Sequence, residues 1–251
     1  MKTKHFELTS ESKVDSFGRT LFRVKLTIDC KWGKAGDLGG WVQKENNLRG
    51  NAWISDNAQV FGNAQVSGNS QVFGDAQVFG NAQVSDNAQV PGNAKVYGNA
   101  QVYCNAQVYG NARVSGDARV YGDAQVYGNA WVLGNARVTG DAWVSGNAWV
   151  SGDAWVSGNA VVSRDARVSG DAKVLGDAWN TSPLQIQGSR HFITECKKGF
   201  LQIGCKCYTF KEWERHFEAI GKAEGYSEDQ IKEYKLYIDL AIQLAKRKEK
   251  K

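Results

Sequence analysis

The chain has 251 residues, a formal charge of +5, 28 glycines, 2 prolines and 3 histidines. Apolar residues make up 42% of it, which excludes wholesale disorder, and no run of about 18 apolar residues marks a membrane-spanning helix. Scarce histidine weighs against metal hydrolases and general-base enzymes, which rely on that side chain. The start, MKTKHFELTSESK, shows no apolar leader, and five dispersed cysteines (Cys30, Cys104, Cys196, Cys205, Cys207) suit a reducing compartment, so the expected location is cytoplasmic.

Residues 1–49 lack any repeat and read as an N-terminal β cap. Phe22, Val24, Leu26 and Ile28 alternate with polar residues, the pattern of a half-buried strand. A glycine-rich run, Lys34-Ala35-Gly36-Asp37-Leu38-Gly39-Gly40-Trp41-Val42, then leads into the repeat. No Gly-Lys-Ser/Thr follows, which disfavours a phosphate loop. A turn that docks Trp41 over the open first coil is expected instead, because the end of a solenoid exposes apolar core.

Residues 50–179 repeat every six residues without an insertion. The unit is Ala-x-Val-y-Gly-Asn/Asp. The small position is Ala in 21 of 22 cases, with Ser70 the exception, and all 21 aliphatic positions are Val or Ile. Glycine fills its position in 18 cases; the exceptions are Asp56, Asp86, Cys104 and Arg164. Ala and Val stand two apart and so point to one side of a strand, while x points to the other. Gly followed by Asn or Asp makes a corner. Fixing six residues costs roughly 6–12 kcal/mol of backbone entropy, and burying one Val returns only about 1.5–3 kcal/mol. Single units therefore cannot stand alone and must stack.

This pattern resembles the hexapeptide-repeat superfamily, whose fold is the left-handed parallel β-helix. The resemblance implies three units per triangular coil, about seven coils, and assembly as parallel homotrimers. A flattened solenoid with two units per coil is the alternative left open by the residues. The Gly-Asp-Leu-Gly-Gly-Trp-Val segment resembles repeat proteins common in phages and prophages, as does the tail sequence Leu201-Gln202-Ile203-Gly204-Cys205 followed by Glu212-Trp213.

Residues 180–251 form a C-terminal segment. His191–Cys196, a Lys198-Gly199 turn and Phe200–Tyr208 read as a β-hairpin. Phe210, Trp213, Phe217 and Ile220 have helical spacing, with Gly221 and Gly225 as stops. A second helix starts after Ser227, with Gln230 completing a capping box. Its expected apolar stripe is Ile231, Tyr234, Leu236, Ile238, Leu240 and Leu244. The Lys246–Lys251 run suits a solvated helix C-terminus. The end segments are each net +4 and the repeat is net −3, a poor surface for duplex nucleic acid.

Acyl transfer is the commonest activity that the resemblance implies, and it uses a histidine on the coil. Here His5, His191 and His216 all lie outside the repeat. No catalytic residue, metal site or cofactor is therefore assigned. A zinc set from Cys196, Cys205, Cys207 and His191 is too irregular in spacing. The outward x positions carry more information. Taken every 18 residues, they form three rows. One is uncharged: Trp53, Gln71, Gln89, Gln107, Gln125, Trp143, Val161, Trp179. The second is Gln59, Gln77, Lys95, Arg113, Trp131, Trp149, Arg167. The third is Gln65, Gln83, Gln101, Arg119, Arg137, Trp155, Lys173. The y positions add aromatic stacks: Phe61–Phe79–Tyr97, Tyr109–Tyr127 and Tyr103–Tyr121.

Ladders of like residues explain the Gln and Tyr rows. Exposed Trp interleaved with Arg reads instead as a binding surface. The expected ligand or partner surface is Arg113, Arg119, Trp131, Arg137, Trp149, Trp155 and Arg167. Trp53, Gln107, Gln125, Trp143, Val161 and Trp179 are the expected subunit seam. The sequence thus describes an all-β solenoid that binds a small nucleotide-like anion or a host protein without catalysis. An acyltransferase and a virion scaffold are the alternatives.

Overall fold

The computed structural model describes residues 4–15 and 17–249. Met1–Thr3, and Lys250 and Lys251 of the terminal basic run, lie outside them. Each hexapeptide folds as a two-residue strand and a turn, from β4 (Trp53–Ile54) to β25 (Ala178–Trp179). Position i pairs in parallel with position i+18: Gln71 with Gln89, Lys95 with Arg113, Gln101 with Arg119. Three units therefore close one coil, and the two-unit alternative is excluded. The Ala and Val side chains fill the interior, fully buried from Ala58 to Val174.

Among the described residues the solenoid has three faces. The uncharged row lies on an eight-stranded sheet and the third row on a seven-stranded one. The second row lies on a ten-stranded sheet that begins with β1 (Phe6–Val14), β2 (Thr20–Leu26) and β3 (Leu38–Val42). β3 pairs in parallel with Gln59–Val60. The rod thus begins at Leu38, before the repeat is legible, and has about eight turns. Gly39 and Gly40 have a packing role: a Cβ on Gly39 would lie 2.5 Å from the Ile54 carbonyl, and one on Gly40 2.7 Å from that of Ala58.

Corner chemistry is more specific than a turn preference. The position before Asn/Asp takes positive φ in both Gly and non-Gly cases, including Asp56, Asp86, Cys104 and Arg164 at 56–60°. At Gly116 (φ 72°) a Cβ would also meet the Gly134 amide nitrogen at 2.9 Å. The Asn side chains form axial ladders, each Nδ2 donating to the Oδ1 of the next coil. One runs Asn51, Asn69, Asn87, Asn105 and ends on Asp123; another runs Asn63, Asn81, Asn99 and ends on Asp117. An amide both donates and accepts, so it continues a ladder; a carboxylate only accepts, so it ends one.

The backbone ladder has a direction as well. Amides at the x, y and corner positions donate to carbonyls 17 residues on: Gln59 to Ala76, Phe61 to Val78, Asn63 to Gly80, at 2.8–3.1 Å. The first coil is therefore left mostly with open carbonyls and the last mostly with open amides. At the start, donors fill the gap. Asn47 Nδ2 donates to the Gly62 and Ala64 carbonyls, His5 Nε2 meets the Ala52 carbonyl and Trp32 Nε1 donates to that of Asn51. At the far end, acceptors fill it: Ser182 Oγ for the Arg167 amide, Gln185 Oε1 for Ser169 and the Cys196 carbonyl for Leu175.

The apolar ends are closed differently from expectation. Phe6, Val24 and Leu26 cover the first coil. Trp41 does not; it points outward and packs with Leu21 and Phe61, under the cations of Lys13 and Arg23. At the other end the last corner slips by one residue. Asp177 rather than Gly176 has positive φ, and Val162 pairs with Trp179. A one-residue slip reverses a strand's faces, so Trp179 turns inward over the core.

Beyond the rod, β26 (Gln185–Gln187), β27 (Phe192–Lys197), β28 (Phe200–Ile203) and β29 (Lys206–Thr209) form an antiparallel sheet. The expected hairpin is thus a four-stranded sheet, because Gly204 (φ 58°) turns the chain between β28 and β29. Helices α1 (Phe210–Ala223) and α2 (Glu228–Glu249) pack on one side of it. The expected capping box of Ser227 with Gln230 forms, and a second joins Thr209 and Glu212 at the start of α1. In α2 the buried stripe is Tyr234, Ile238, Ala241 and Ile242, whereas Leu236 and Leu240 are exposed. Among the described residues no helix is long and apolar enough to cross a membrane.

Two predictions follow from the corners. Gly116→Ala lowers stability by about 1–3 kcal/mol, read as a fall in the thermal midpoint. Asn99→Asp removes the bond to Asp117 and sets two carboxylates together, at a cost of about 1–2 kcal/mol at pH 7. The paired carboxylates have raised pKa values when folded, so the deficit grows as pH rises and closes below about pH 4.

Candidate functional site

The three outward rows have different fates. On the third face Arg119, Arg137, Trp155 and Lys173 stand on successive rungs. The C-terminal sheet folds against this end of the rod. Its strands alternate: Ile193, Leu201 and Ile203 face the helices, while Phe192, Thr194 and Gln202 face the rod. Between the two lies a cleft of about 440 Å³. The rod contributes Arg137, Trp155 and Lys173, with Asp153 and Asp171 from the corner row. The C-terminal segment contributes Arg190, His191, Phe192, Thr194 and Gln202. Asp153 accepts a hydrogen bond from Asn135 (2.8 Å). Arg190 donates to the Gly225 carbonyl and lies over the Tyr226 ring.

Two atoms in this lining are unsatisfied. Trp155 Nε1, a donor, and Gln202 Oε1, an acceptor, are closed to solvent and lack a hydrogen-bond partner. Gln202 is 7% exposed, and its Nε2 donates to the Gly204 carbonyl. Leaving a buried polar group unpaired costs about 1–3 kcal/mol. Two other such atoms among the described residues, Arg23 Nε and Trp41 Nε1, lie at the opposite end and are both donors.

The second face carries a different arrangement. The Arg113 guanidinium lies 4.8 Å from the Trp131 ring, Trp131 and Trp149 are 5.1 Å apart, and Arg167 lies 5.8 Å from Trp149. This is a surface ladder rather than a concavity. Of the expected binding residues, Arg137 and Trp155 line the cleft and Arg119 stands one rung below Arg137. Arg113, Trp131, Trp149 and Arg167 lie on the other face. Arg190, His191 and Gln202 were missed. The alternation of Leu201, Gln202 and Ile203 was the available signal for Gln202, but nothing local shows that this strand folds back on the rod.

The uncharged face keeps Gln107, Gln125, Trp143 and Val161 outward. Trp143 is 43% exposed and meets Tyr127 edge-on. Trp53 and Trp179 differ from the other residues of this row in being buried within the chain. Trp53 is covered by His5 and the close backbone of Gly39, and Trp179 is turned inward. The aromatic stacks of the y positions form as expected, with ring spacings of 4.9–5.0 Å.

The cysteines do not converge on a metal. Among the described residues no group of three or more His, Cys, Asp or Glu side chains could hold one. Cys196 and Cys207 lie 2.9 Å apart, Sγ to Sγ. Burial, then the Cys207 thiol, push Cys196 up to about 12.

Comparison with protein families matches residues 106–122 and 124–138 to the YdcK beta solenoid repeat. The comparison with curated proteins gave no match. With the fold above, this makes the chain a β-solenoid repeat protein. Cys205 and Cys207 are exposed and should take up a maleimide at pH 7 in the folded protein. Cys196 should react only after unfolding, as peptide mass mapping will show.

Proposed function

We propose that this β-solenoid is a binding protein, not an enzyme, and that it holds a small anion with a flat ring face in the C-terminal cleft. The observation that carries this reading is the rung order Arg137–Trp155–Lys173 beneath the C-terminal sheet. A ring stacked on Trp155 has a cation on the rung to either side, and stacking with a nearby cation suits a nucleotide-like anion. The three cations of the lining outnumber its two carboxylates. The cleft is also within the size range of small-molecule sites. Encoded in a phage, as the sequence resemblance implies, such a protein would withhold its ligand from the host.

The uncharged face supports self-association, because its six outward residues, Gln71, Gln89, Gln107, Gln125, Trp143 and Val161, bring no like charges together across a seam. The trimeric state is carried over from the hexapeptide resemblance. Acyl transfer has one observation in its favour, that His191 lines the cleft. Turnover of acetyl-coenzyme A that is lost in His191→Ala would establish that second reading in place of the first.

Calorimetry against a panel of nucleotides and sugar phosphates tests the proposal. Arg137→Ala and Lys173→Ala should each weaken binding about 10-fold or more, while Arg113→Ala on the other face leaves it unchanged. A wild-type protein that binds nothing in the panel refutes the reading and leaves a scaffold role. For the seam, light scattering should give three chain masses for the wild type and a lower mass for Trp143→Arg.

A further inference from the structure

Three of the five cysteines belong to the C-terminal sheet and its turns, and two of them touch. We infer that Cys196 and Cys207 are a reversible redox modification site, forming a disulfide that ties β27 to β29 across β28. This site is independent of the binding reading above.

The two Sγ atoms are 2.9 Å apart, and among the described residues this is the one pair of thiols in contact. A disulfide bond of about 2.05 Å needs the sulfurs to close by only about 0.9 Å. Their strands are not neighbours: β27 pairs with β28, and β28 with β29. The register of β27 shifts between Glu195 and Lys197, the stretch that holds Cys196. A bulge re-aims the side chain that it carries.

Access to the two sulfurs is unequal. Cys207 is exposed and Cys196 is buried. Burial, then the Cys207 thiol, push Cys196 up to about 12. Cys207 is therefore the sulfur that meets an oxidant, a small-molecule disulfide such as oxidised glutathione. Its thiolate attacks, a Cys207–glutathione bond forms, and one glutathione leaves, taking up the Cys207 proton. The Cys196 sulfur then attacks Cys207, and the second glutathione leaves with the Cys196 proton. Proximity rather than acidity drives this second step. Two protein thiols are oxidised and one disulfide is reduced to two thiols. A reductant reverses the exchange through the exposed Cys207 sulfur. Gln202 on β28 pairs in register with Thr194 and with Cys207, and Thr194 and Gln202 line the cleft. The Cys196 carbonyl also accepts the Leu175 amide of the rod. Oxidation thus clasps the strands that wall the cleft and close the amide end.

The test is oxidation of the folded full chain with oxidised glutathione, an acid quench and peptide mass mapping. Trypsin cuts after Lys197, Lys198 and Lys206, which puts Cys196, Cys205 and Cys207 on different peptides. The expected product joins the Cys196 and Cys207 peptides. It persists in Cys205→Ser, is lost in Cys207→Ser, and returns to free thiols in dithiothreitol without unfolding. Maleimide uptake at Cys207 disappears on oxidation while that at Cys205 remains. Amide hydrogen exchange in β27, β28 and β29 should slow at least about 10-fold on oxidation and stay unchanged in the middle coils. The wild-type map alone carries the test if the Cys207→Ser protein fails to fold. A disulfide from Cys205 to either partner, or glutathione that stays on Cys207 without a cross-link, overturns the inference. A cross-link that dithiothreitol reduces only after unfolding overturns reversibility. Unchanged exchange after cross-linking overturns the clasp.

Discussion

The structure depends on one constraint, the axial direction of its backbone hydrogen bonds. Most x, y and corner amides donate 17 residues forward, so the start of the rod is rich in open carbonyls and its far end in open amides. Unmet backbone groups are costly when buried. The two caps therefore cannot be interchangeable. The N-terminal cap brings donors, the Asn47 amide, His5 and Trp32. The C-terminal cap brings acceptors, Ser182, Gln185 and the Cys196 carbonyl. Gln185 reproduces both halves of a missing coil, because its Nε2 also donates to the Arg167 carbonyl. The Asn side chains lay a second directed ladder over the first, and each Asp placed after a run of Asn ends it.

The same constraint explains where a binding site can form. A stacked repeat is nearly invariant along its axis, so its faces are convex ladders without depth. The Arg113–Trp131–Trp149–Arg167 series is such a ladder: chemically distinctive, but open along its length. Depth requires something that breaks the translation. The C-terminal sheet does so because it must reach back to cap the amide end, and it is sandwiched between the helices and the rod. Where its rod-side face stands off the third face, the cleft opens. Residues that were equivalent by repeat position thereby become different. Arg119 and Arg137 are neighbours in one row, yet only Arg137 lines the cavity.

This also accounts for what was legible in the sequence. Period and phase decide which atoms face inward, so the stacked strands and the buried Ala and Val followed from residue spacing, while three units per coil, and with it the aromatic stacks at 18-residue spacing, came from the family resemblance. The failures within the rod share a physical cause, because each sits where the period ends. Trp41 and Trp53 follow the repeat's geometry, but the N-terminal segment covers them in ways that no spacing records. Trp179 kept its place in the written period, while the last corner moved by one residue and reversed its face. The cleft was half visible. Arg137 and Trp155 belong to a row that could be counted, whereas Arg190, His191 and Gln202 reach it through the fold-back of the C-terminal sheet, a long-range contact with no local signature.

A uniform ladder also satisfies its polar groups uniformly, since every coil offers the next the same donors and acceptors. Within the rod, the deviations Asp56 and Asp86 are still repaired locally, each carboxylate accepting the amide of the residue 18 positions on. Trp155 and Gln202 are not repaired in this way. Both line the cleft, where a repeated surface faces a non-repeated one, so neither periodicity nor capping supplies a partner. Apolar replacements of similar shape would remove the cost of the unpaired atoms.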